Sequence, residues 1–150
     1  MTVEKIGASR GKALLIDDET AILRTFRYCL EDAGFVVATA QNGSQAEARL
    51  EQEVYDVCFL DLSLGDESGL ALLPRLRAAA PWMRIVVATA HSSIDMAVQA
   101  MHAGANDYLV KPCTSEQLEV VATKQAEMRR ISACFVATTS SCSEVQGLTR

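Results

Sequence analysis

Five short runs of β-branched and aliphatic residues alternate along this chain with longer stretches of helical periodicity. The runs are Ala13 to Asp17, Val36 to Ala40, Val57 to Asp61, Ile85 to Thr89 and Asp107 to Val110. Such alternation is typical of an α/β protein, in which helices cover both faces of a parallel sheet. The first, third and fourth runs are almost wholly apolar, as expected of central strands. The pattern therefore predicts three layers, with the sheet in the middle.

The stretches between the runs carry helix signals. Gly34 ends the first helical stretch, Ser93 is a candidate N-cap for the fourth, and Thr114 or Ser115 starts the fifth. Right-handed crossovers between such strands give a doubly wound sheet. For five parallel strands the common solution is the flavodoxin-like order 2-1-3-4-5, which is the fold class that we predict.

Length and apolar content indicate one domain. The chain has 150 residues, of which 49% are hydrophobic, and this is enough for a single well-buried core. The strand and helix pattern occupies residues 12–130. We predict an N-terminal extension over residues 1–11 and a C-terminal tail or linker over residues 131–150, where charge is sparse and helical periodicity is lost.

Composition disfavours several classes of protein. The formal net charge of -5 argues against direct contact with nucleic acid, which needs clustered Lys and Arg. Five cysteines form no CxxC pair, and their odd number predicts free thiols in a reducing cytoplasm. The longest apolar stretches fall well short of the roughly 20 residues that span a bilayer, so we expect no membrane association.

Charged and hydroxyl side chains stand where the predicted strands end. Asp17 and Asp18 close the first strand, Asp61 the third and Thr89 the fourth, and Lys111 follows the fifth. Ligands of open α/β sheets bind beyond the carboxyl ends of the strands, so these groups should converge. Three neighbouring carboxylates repel one another unless a cation joins them, and oxygen ligands suit Mg²⁺ or Mn²⁺. An aspartate in such a pocket can act as a nucleophile toward a phosphoryl group.

Four segments in this order resemble the receiver domains of two-component response regulators, over about residues 12–130. The segments are LLIDDE, FLDLSL, VVATAHSS and AGANDYLVKP. The resemblance implies that Asp17 and Asp18 hold Mg²⁺ and that Asp61 accepts a phosphoryl group. It also implies that the backbone carbonyl of Ser63 is a further metal ligand.

The same resemblance assigns the residues around the phosphoryl group. Thr89, the adjacent Ala90 and Lys111 are implied to bind phosphate, Thr89 and Tyr108 to form a switch pair, and the peptide bond into Pro112 to be cis. The implied partners are a sensor histidine kinase and a second copy of the chain, joined through the fourth helix, fifth strand and fifth helix. Such a domain is a phosphoacceptor and catalyses only its own phosphoryl transfer and dephosphorylation.

The segment ATAHSSIDMAVQAMHAGANDYLVKP is most similar to receivers of NtrC-class enhancer-binding activators. In that class an ATPase and a helix-turn-helix DNA-binding domain follow the receiver. The chain carries no GxxxxGK[ST] phosphate loop, so we expect the output domain, which controls transcription, to be absent from this chain.

Other readings of the same residues remain. A Rossmann domain needs a glycine-rich turn where Asp17, Asp18 and Glu19 stand, and an aspartyl phosphatase needs a second acid at the position of Ser63. The alternative that stays open is a receiver-fold interaction module that works without phosphorylation. Separately, Pro74 lies within the third helical stretch and predicts that this helix starts late or bends.

Overall fold

The structure is a computed structural model that describes residues 9–90 and 93–147, with side chains as far as residue 134. The predicted N-terminal extension and C-terminal tail therefore lie partly outside the described residues. The strands are β1 (Gly11–Ile16), β2 (Phe35–Ala40), β3 (Val57–Leu60), β4 (Ser63–Leu64), β5 (Glu67–Ser68), β6 (Arg84–Thr89) and β7 (Asp107–Val110). The helices are α1 (Thr20–Asp32), α2 (Gly43–Gln52), α3 (Gly69–Ala79), α4 (Ile94–His102) and α5 (Ser115–Gly147).

Five strands form one parallel sheet in the order β2-β1-β3-β6-β7. When only the strands of this sheet are counted, this is the predicted order 2-1-3-4-5. Ile16, the last residue of β1, lies opposite Leu60 at the end of β3 and Ala40 at the end of β2. The predicted doubly wound α/β fold is confirmed.

Alternate residues of the central strands point into two separate cores. In β1, Leu14 and Ile16 join a cluster with residues of α2, α3 and α4, whereas Ala13 and Leu15 join a cluster with residues of α1 and α5. All four side chains are buried. Because successive side chains of a strand point to opposite faces, a strand covered by helices on both sides must be apolar throughout.

The sheet has a small appendage that the sequence analysis did not predict. Strands β4 and β5 form a two-stranded antiparallel hairpin immediately after β3, with Leu64 opposite Glu67. Gly65 in its turn has φ +64°, a left-handed conformation that glycine adopts without strain. The hairpin carries the chain from the end of β3 to the start of α3.

Helix α3 begins at Gly69, immediately after its N-cap Ser68, and contains Pro74. The prediction of a late start was wrong. The Ser68 hydroxyl accepts the amide of Ala71 at 3.3 Å, and the Gly69 amide donates to the carbonyl of Leu62 at 2.9 Å. These bonds stabilise the first turn ahead of the proline. A bend at Pro74 stays a prediction.

Helix α5 begins with a reciprocal cap. The amide of Gln117 donates to the Thr114 hydroxyl at 3.1 Å, and the Thr114 amide donates to Oε1 of Gln117 at 2.9 Å. The helix then runs to Gly147, well into the segment that the sequence analysis assigned to a tail or linker without helical periodicity. Within the described residues, no helix combines the length and the apolar character that crossing a bilayer requires.

Candidate functional site

Two aspartates lie side by side at the carboxyl end of the sheet. Strands β1 and β3 are neighbours, and their last residues, Ile16 and Leu60, lie opposite each other. Asp17 and Asp61 follow them, and the amide of Asp61 donates to the carbonyl of Ile16 at 3.0 Å. The exposed fractions are only 4% for Asp17 and 8% for Asp61. The sheet register therefore holds two carboxyl groups together with little exposure to water.

Asp18 completes a cluster of three acids. Each of Asp17, Asp18 and Asp61 offers one carboxylate oxygen, and these oxygens lie within 4.8 Å of one another. Asp18 is exposed, so the cluster opens to solvent on one side. A small divalent cation such as Mg²⁺ prefers oxygen ligands and retains several waters, and this donor set fits both requirements. The predicted convergence of the three acids is confirmed.

Lys111 contacts both buried acids. Its backbone amide donates to the carbonyl of Thr89 at 2.9 Å, which fixes the residue beyond the end of β7. Its Nζ atom donates to Oδ2 of Asp17 and to Oδ2 of Asp61, the latter at 3.1 Å. Nζ also lies 5.8 Å from the centre of the Phe26 ring. The following peptide bond, into Pro112, is cis, as predicted.

Burial and ion pairing have opposite effects on the pKa values of Asp17 and Lys111. Burial raises the pKa of Asp17, and the hydrogen bonds from Lys111 and from the amide of Glu19 offset only part of that effect. For Lys111, burial acts to lower the pKa, but the hydrogen bond and attraction of Asp17, together with the attraction of Asp61, outweigh it and the pKa is raised. Lys111 therefore keeps its positive charge although it is largely buried.

The carboxyl group of Asp61 is held by the chain that follows it. Its Oδ1 atom accepts the amide of Ser63 at 3.0 Å, while Oδ2 faces Lys111. On the backbone side, Gly69 packs so closely that a Cβ atom there would lie 2.2 Å from the carbonyl oxygen of Asp61. Gly69 was not predicted as a site residue, since a single glycine ahead of the third helical stretch carries no specific signal in the sequence.

The predicted switch residues share one face of the sheet. Thr89 ends β6 and is fully buried, and the next residue, Ala90, is exposed. Tyr108 lies opposite Val87 in the β6–β7 pairing. Thr89 follows Val87 by two residues, so its side chain points to the same face as Tyr108. Tyr108 is half-buried against the cluster that includes α3 and α4, and burial raises its pKa.

Comparisons with known proteins agree with this geometry. Residues 13–123 match the family described as response regulator receiver domain. The chain belongs to this family of signalling domains.

Among curated relatives, the chain is 57% identical over 131 residues to the alginate biosynthesis transcriptional regulatory protein AlgB of Pseudomonas aeruginosa. It is 38% identical over 116 residues to the response regulator protein PilR of the same species. These matches cover 87% and 77% of this chain but only 29% and 26% of the relatives. The chain thus spans less than a third of the length of these relatives, which are NtrC-class regulators.

Solved structures show the same fold. NtrX from Brucella abortus matches with a TM-score of 0.80 and 29% identity, over 85% of this chain and 29% of that one. A response regulator from Burkholderia pseudomallei, described with a phosphorylated aspartic acid, calcium ion and citrate, matches with a TM-score of 0.70 and 34% identity, over 82% of this chain and 73% of that one. A divalent cation and a modified aspartate are therefore present in a protein similar to this chain.

Proposed function

We propose that this chain accepts a phosphoryl group on Asp61 from the phosphohistidine of a sensor kinase, in a reaction that depends on Mg²⁺ or Mn²⁺. The observation that carries the proposal is the group formed by Asp17, Asp18, Asp61 and Lys111 at the carboxyl end of the sheet. Phosphoryl transfer depends mainly on positioning and on neutralisation of charge. This site supplies a positioned carboxylate, a lysine and a set of metal ligands.

In the proposed reaction a carboxylate oxygen of Asp61 attacks phosphorus, the bond from phosphorus to the histidine nitrogen breaks, and an acyl phosphate forms. Asp17, Asp18, Asp61 and the backbone carbonyl of Ser63 would hold the cation, which neutralises charge on the transferred group. The ammonium group of Lys111 binds one phosphoryl oxygen. The hydroxyl of Thr89 and the backbone at Ala90 bind the others.

The signal leaves through the face formed by α4, β7 and α5. Several large apolar side chains of these three elements are exposed, namely Ile94, Val98, Met101, Val110 and Val120. Exposed apolar groups gathered on one face are typical of interaction surfaces. We infer that Thr89 moves toward the phosphoryl group and Tyr108 turns inward, which changes this face and favours a homodimer.

We assign the regulated output to a domain that lies outside this chain. AlgB is named as a transcriptional regulatory protein, and the chain matches less than a third of its length. We propose that the output domain comprises an ATPase and a helix-turn-helix DNA-binding domain, and that the receiver itself makes no contact with nucleic acid or membrane. The net charge of -5 disfavours contact of the receiver with nucleic acid, and we propose that the domain works in the cytoplasm.

Incubation with acetyl phosphate and Mg²⁺, followed by intact-mass analysis, tests the phosphoacceptor. We expect one phosphoryl group on the wild-type chain, none on Asp61→Asn, and normal uptake by the control Asp66→Asn, whose carboxylate is exposed. Equal uptake by Asp61→Asn would remove Asp61 from the proposal. If the wild-type chain shows no Mg²⁺-dependent uptake, the alternative of an interaction module without phosphorylation is favoured.

A further inference from the structure

A cleft of about 920 Å³ lies at the opposite end of the sheet from the acidic cluster. Strand β6 connects the two regions: its first residue, Arg84, lines the cleft, and its last residue, Thr89, lies beside the acidic cluster. Helix α5 forms one wall, and the loops that precede β6 and β7 form the other. Side chains that line it include Arg77, Trp82, Arg84, Asn106, Arg129 and Ser132. Its volume is within the roughly 300–1,000 Å³ of small-molecule pockets.

Arg77 contributes a positive charge that no carboxylate neutralises within the described part of the chain. Its guanidinium donates to the carbonyls of Gly104 at 2.7 Å and Pro81 at 3.1 Å, and to the side-chain oxygen of Asn106 at 2.8 Å. All of these acceptors are neutral. Burial lowers the pKa of Arg77, and repulsion from Arg84 lowers it further. The two guanidinium groups are therefore close enough to repel each other.

The other two arginines of the cleft, Arg84 and Arg129, are only partly neutralised by carboxylates. Arg84 donates through Nε to Oε1 of Gln125 at 2.8 Å and is attracted by Asp107. The Nε atom of Arg129 is buried and has no hydrogen-bond partner among the described residues, and its nearest carboxylate oxygen, on Asp56, lies 4.0 Å away. Among the described residues, the three arginines of the cleft have only two carboxylates near them, so the cleft has a surplus of about one positive charge.

An aromatic ring stands at the mouth of the cleft. Trp82 is 43% exposed although indole rings are largely buried on average in folded proteins. A flat ligand can stack on such a ring, and arginines bind a carboxylate through paired hydrogen bonds. We propose that this cleft binds a small aromatic carboxylate, with the carboxylate at Arg84 and Arg129 and the ring against Trp82. A monoanion is favoured over a phosphate dianion because the surplus charge is about one.

The single tryptophan of the chain makes the test direct, since the indole N–H of Trp82 gives one resonance in a proton–nitrogen correlation spectrum. The probe is 2-naphthoate, its uncharged control is 2-naphthalenemethanol, and 2-naphthyl phosphate is the dianion. We expect a saturable shift of the Trp82 resonance with naphthoate, a weaker effect with the phosphate and none with the alcohol.

Two adjacent arginines provide matched variants. Arg129→Gln should weaken naphthoate binding about tenfold, which corresponds to the loss of one charge-assisted hydrogen bond. Arg130→Gln removes the same charge from a residue that instead donates to the carbonyl of Arg10 at 2.6 Å, and it should bind normally. Ser132→Glu places a negative charge in the cleft at an exposed position and should also weaken binding, even if Arg129→Gln fails to fold.

Several results would overturn the proposal. They are the absence of a saturable shift, equal binding of the alcohol, and unchanged binding in both Arg129→Gln and Ser132→Glu. A Trp82 resonance that moves with protein concentration alone would assign the cleft to a second copy of the chain. Asp61→Asn should bind naphthoate normally, so this result is separate from that of the phosphorylation experiment.

Discussion

The Nζ atom of Lys111 lies 3.1 Å from Oδ2 of Asp61, although the two residues are 50 positions apart in the chain. The same ammonium group also donates to Oδ2 of Asp17. One buried cation therefore serves two buried carboxylates, and part of the acidic charge stays uncompensated until another cation joins them. We therefore expect the stability of the domain to depend on pH and on divalent ions.

Asp17→Asn should raise the free energy of unfolding at neutral pH in the absence of divalent cations. Burial raises the pKa of Asp17, so the folded chain holds a proton at this carboxyl more readily than the unfolded chain. Its stabilising contribution is present below the ordinary value of 3.8 and is lost as pH rises through the folded value. The neutral amide avoids that loss.

Urea denaturation in a chelating buffer at several pH values measures the effect of Asp17→Asn. The gain should diminish in acid, where Asp17 is protonated, and should also diminish with Mg²⁺, because an ion bound only by the folded state stabilises the wild-type chain. The control Asp66→Asn should show neither trend. A less stable Asp17→Asn protein at neutral pH without metal would contradict the prediction.

Gly69→Ala should destabilise the domain by about 1–3 kcal/mol, the usual cost of overpacking. The added Cβ would lie 2.2 Å from the carbonyl oxygen of Asp61 and 2.6 Å from Cα of Leu62, and both are backbone atoms that cannot rotate away. Denaturation midpoints measure the change. Ala79→Ser, at an exposed position of the same helix, should change stability by less than about 0.5 kcal/mol. Similar stabilities for the two variants would show that the backbone at Asp61 and Leu62 shifts to accommodate the added Cβ atom.

Gln125→Leu should lower the free energy of unfolding by about 1–3 kcal/mol, because it removes one hydrogen bond from each of two half-buried polar side chains. Gln125 is only 2% exposed; it accepts from Nε of Arg84 at 2.8 Å and donates to Oδ2 of Asp107 at 3.2 Å. Thermal and urea unfolding both report the loss, and the exposed Gln99→Ala serves as the control. An unchanged stability would mean that water replaces both bonds.

Cys58 should resist alkylation in the folded protein. It is fully buried, and burial raises the pKa of its thiol to about 12, so almost no thiolate forms at pH 8. Cys134 is exposed and should react with iodoacetamide under the same conditions. Peptide mapping before and after unfolding in urea distinguishes the two thiols. Rapid labelling of native Cys58 would show that the core opens readily.

Thr89→Ala should still be phosphorylated but should no longer dimerise in response. We propose that the Thr89 hydroxyl moves toward the phosphoryl oxygens after phosphorylation. The attack of Asp61 on phosphorus does not require this hydroxyl. To change the ratio of active to inactive conformation from 1:99 to 99:1, the phosphoryl group must bind the active conformation about 5.5 kcal/mol more strongly. The loss of one hydrogen bond would reduce this preference. Sedimentation with and without beryllofluoride measures the monomer–dimer balance. A full response in Thr89→Ala, or none in the wild type, would contradict the switch.

The sequence by itself determined the sheet and the acidic site. Apolar runs such as Val57 to Leu60 must be buried on both faces, which requires a parallel sheet with helices on each side. Parallel strands end at the same edge, and strands 1 and 3 are neighbours in the order 2-1-3-4-5, so Asp17 and Asp61 were expected to meet. Both inferences depend on local pattern, on the geometry of strands and on the common order of such sheets.

Only the tertiary structure decided which distant groups pair. The sharing of Lys111 between two acids, the close packing of Gly69 on Asp61 and the bridge that Gln125 makes between Arg84 and Asp107 all join residues far apart in the chain. The periodicity of the sequence does not predict such contacts, because they form only when separate helices and strands pack against each other. The extension of α5 past residue 130 was missed for a related reason, since the segment lacks the apolar periodicity by which helices are predicted.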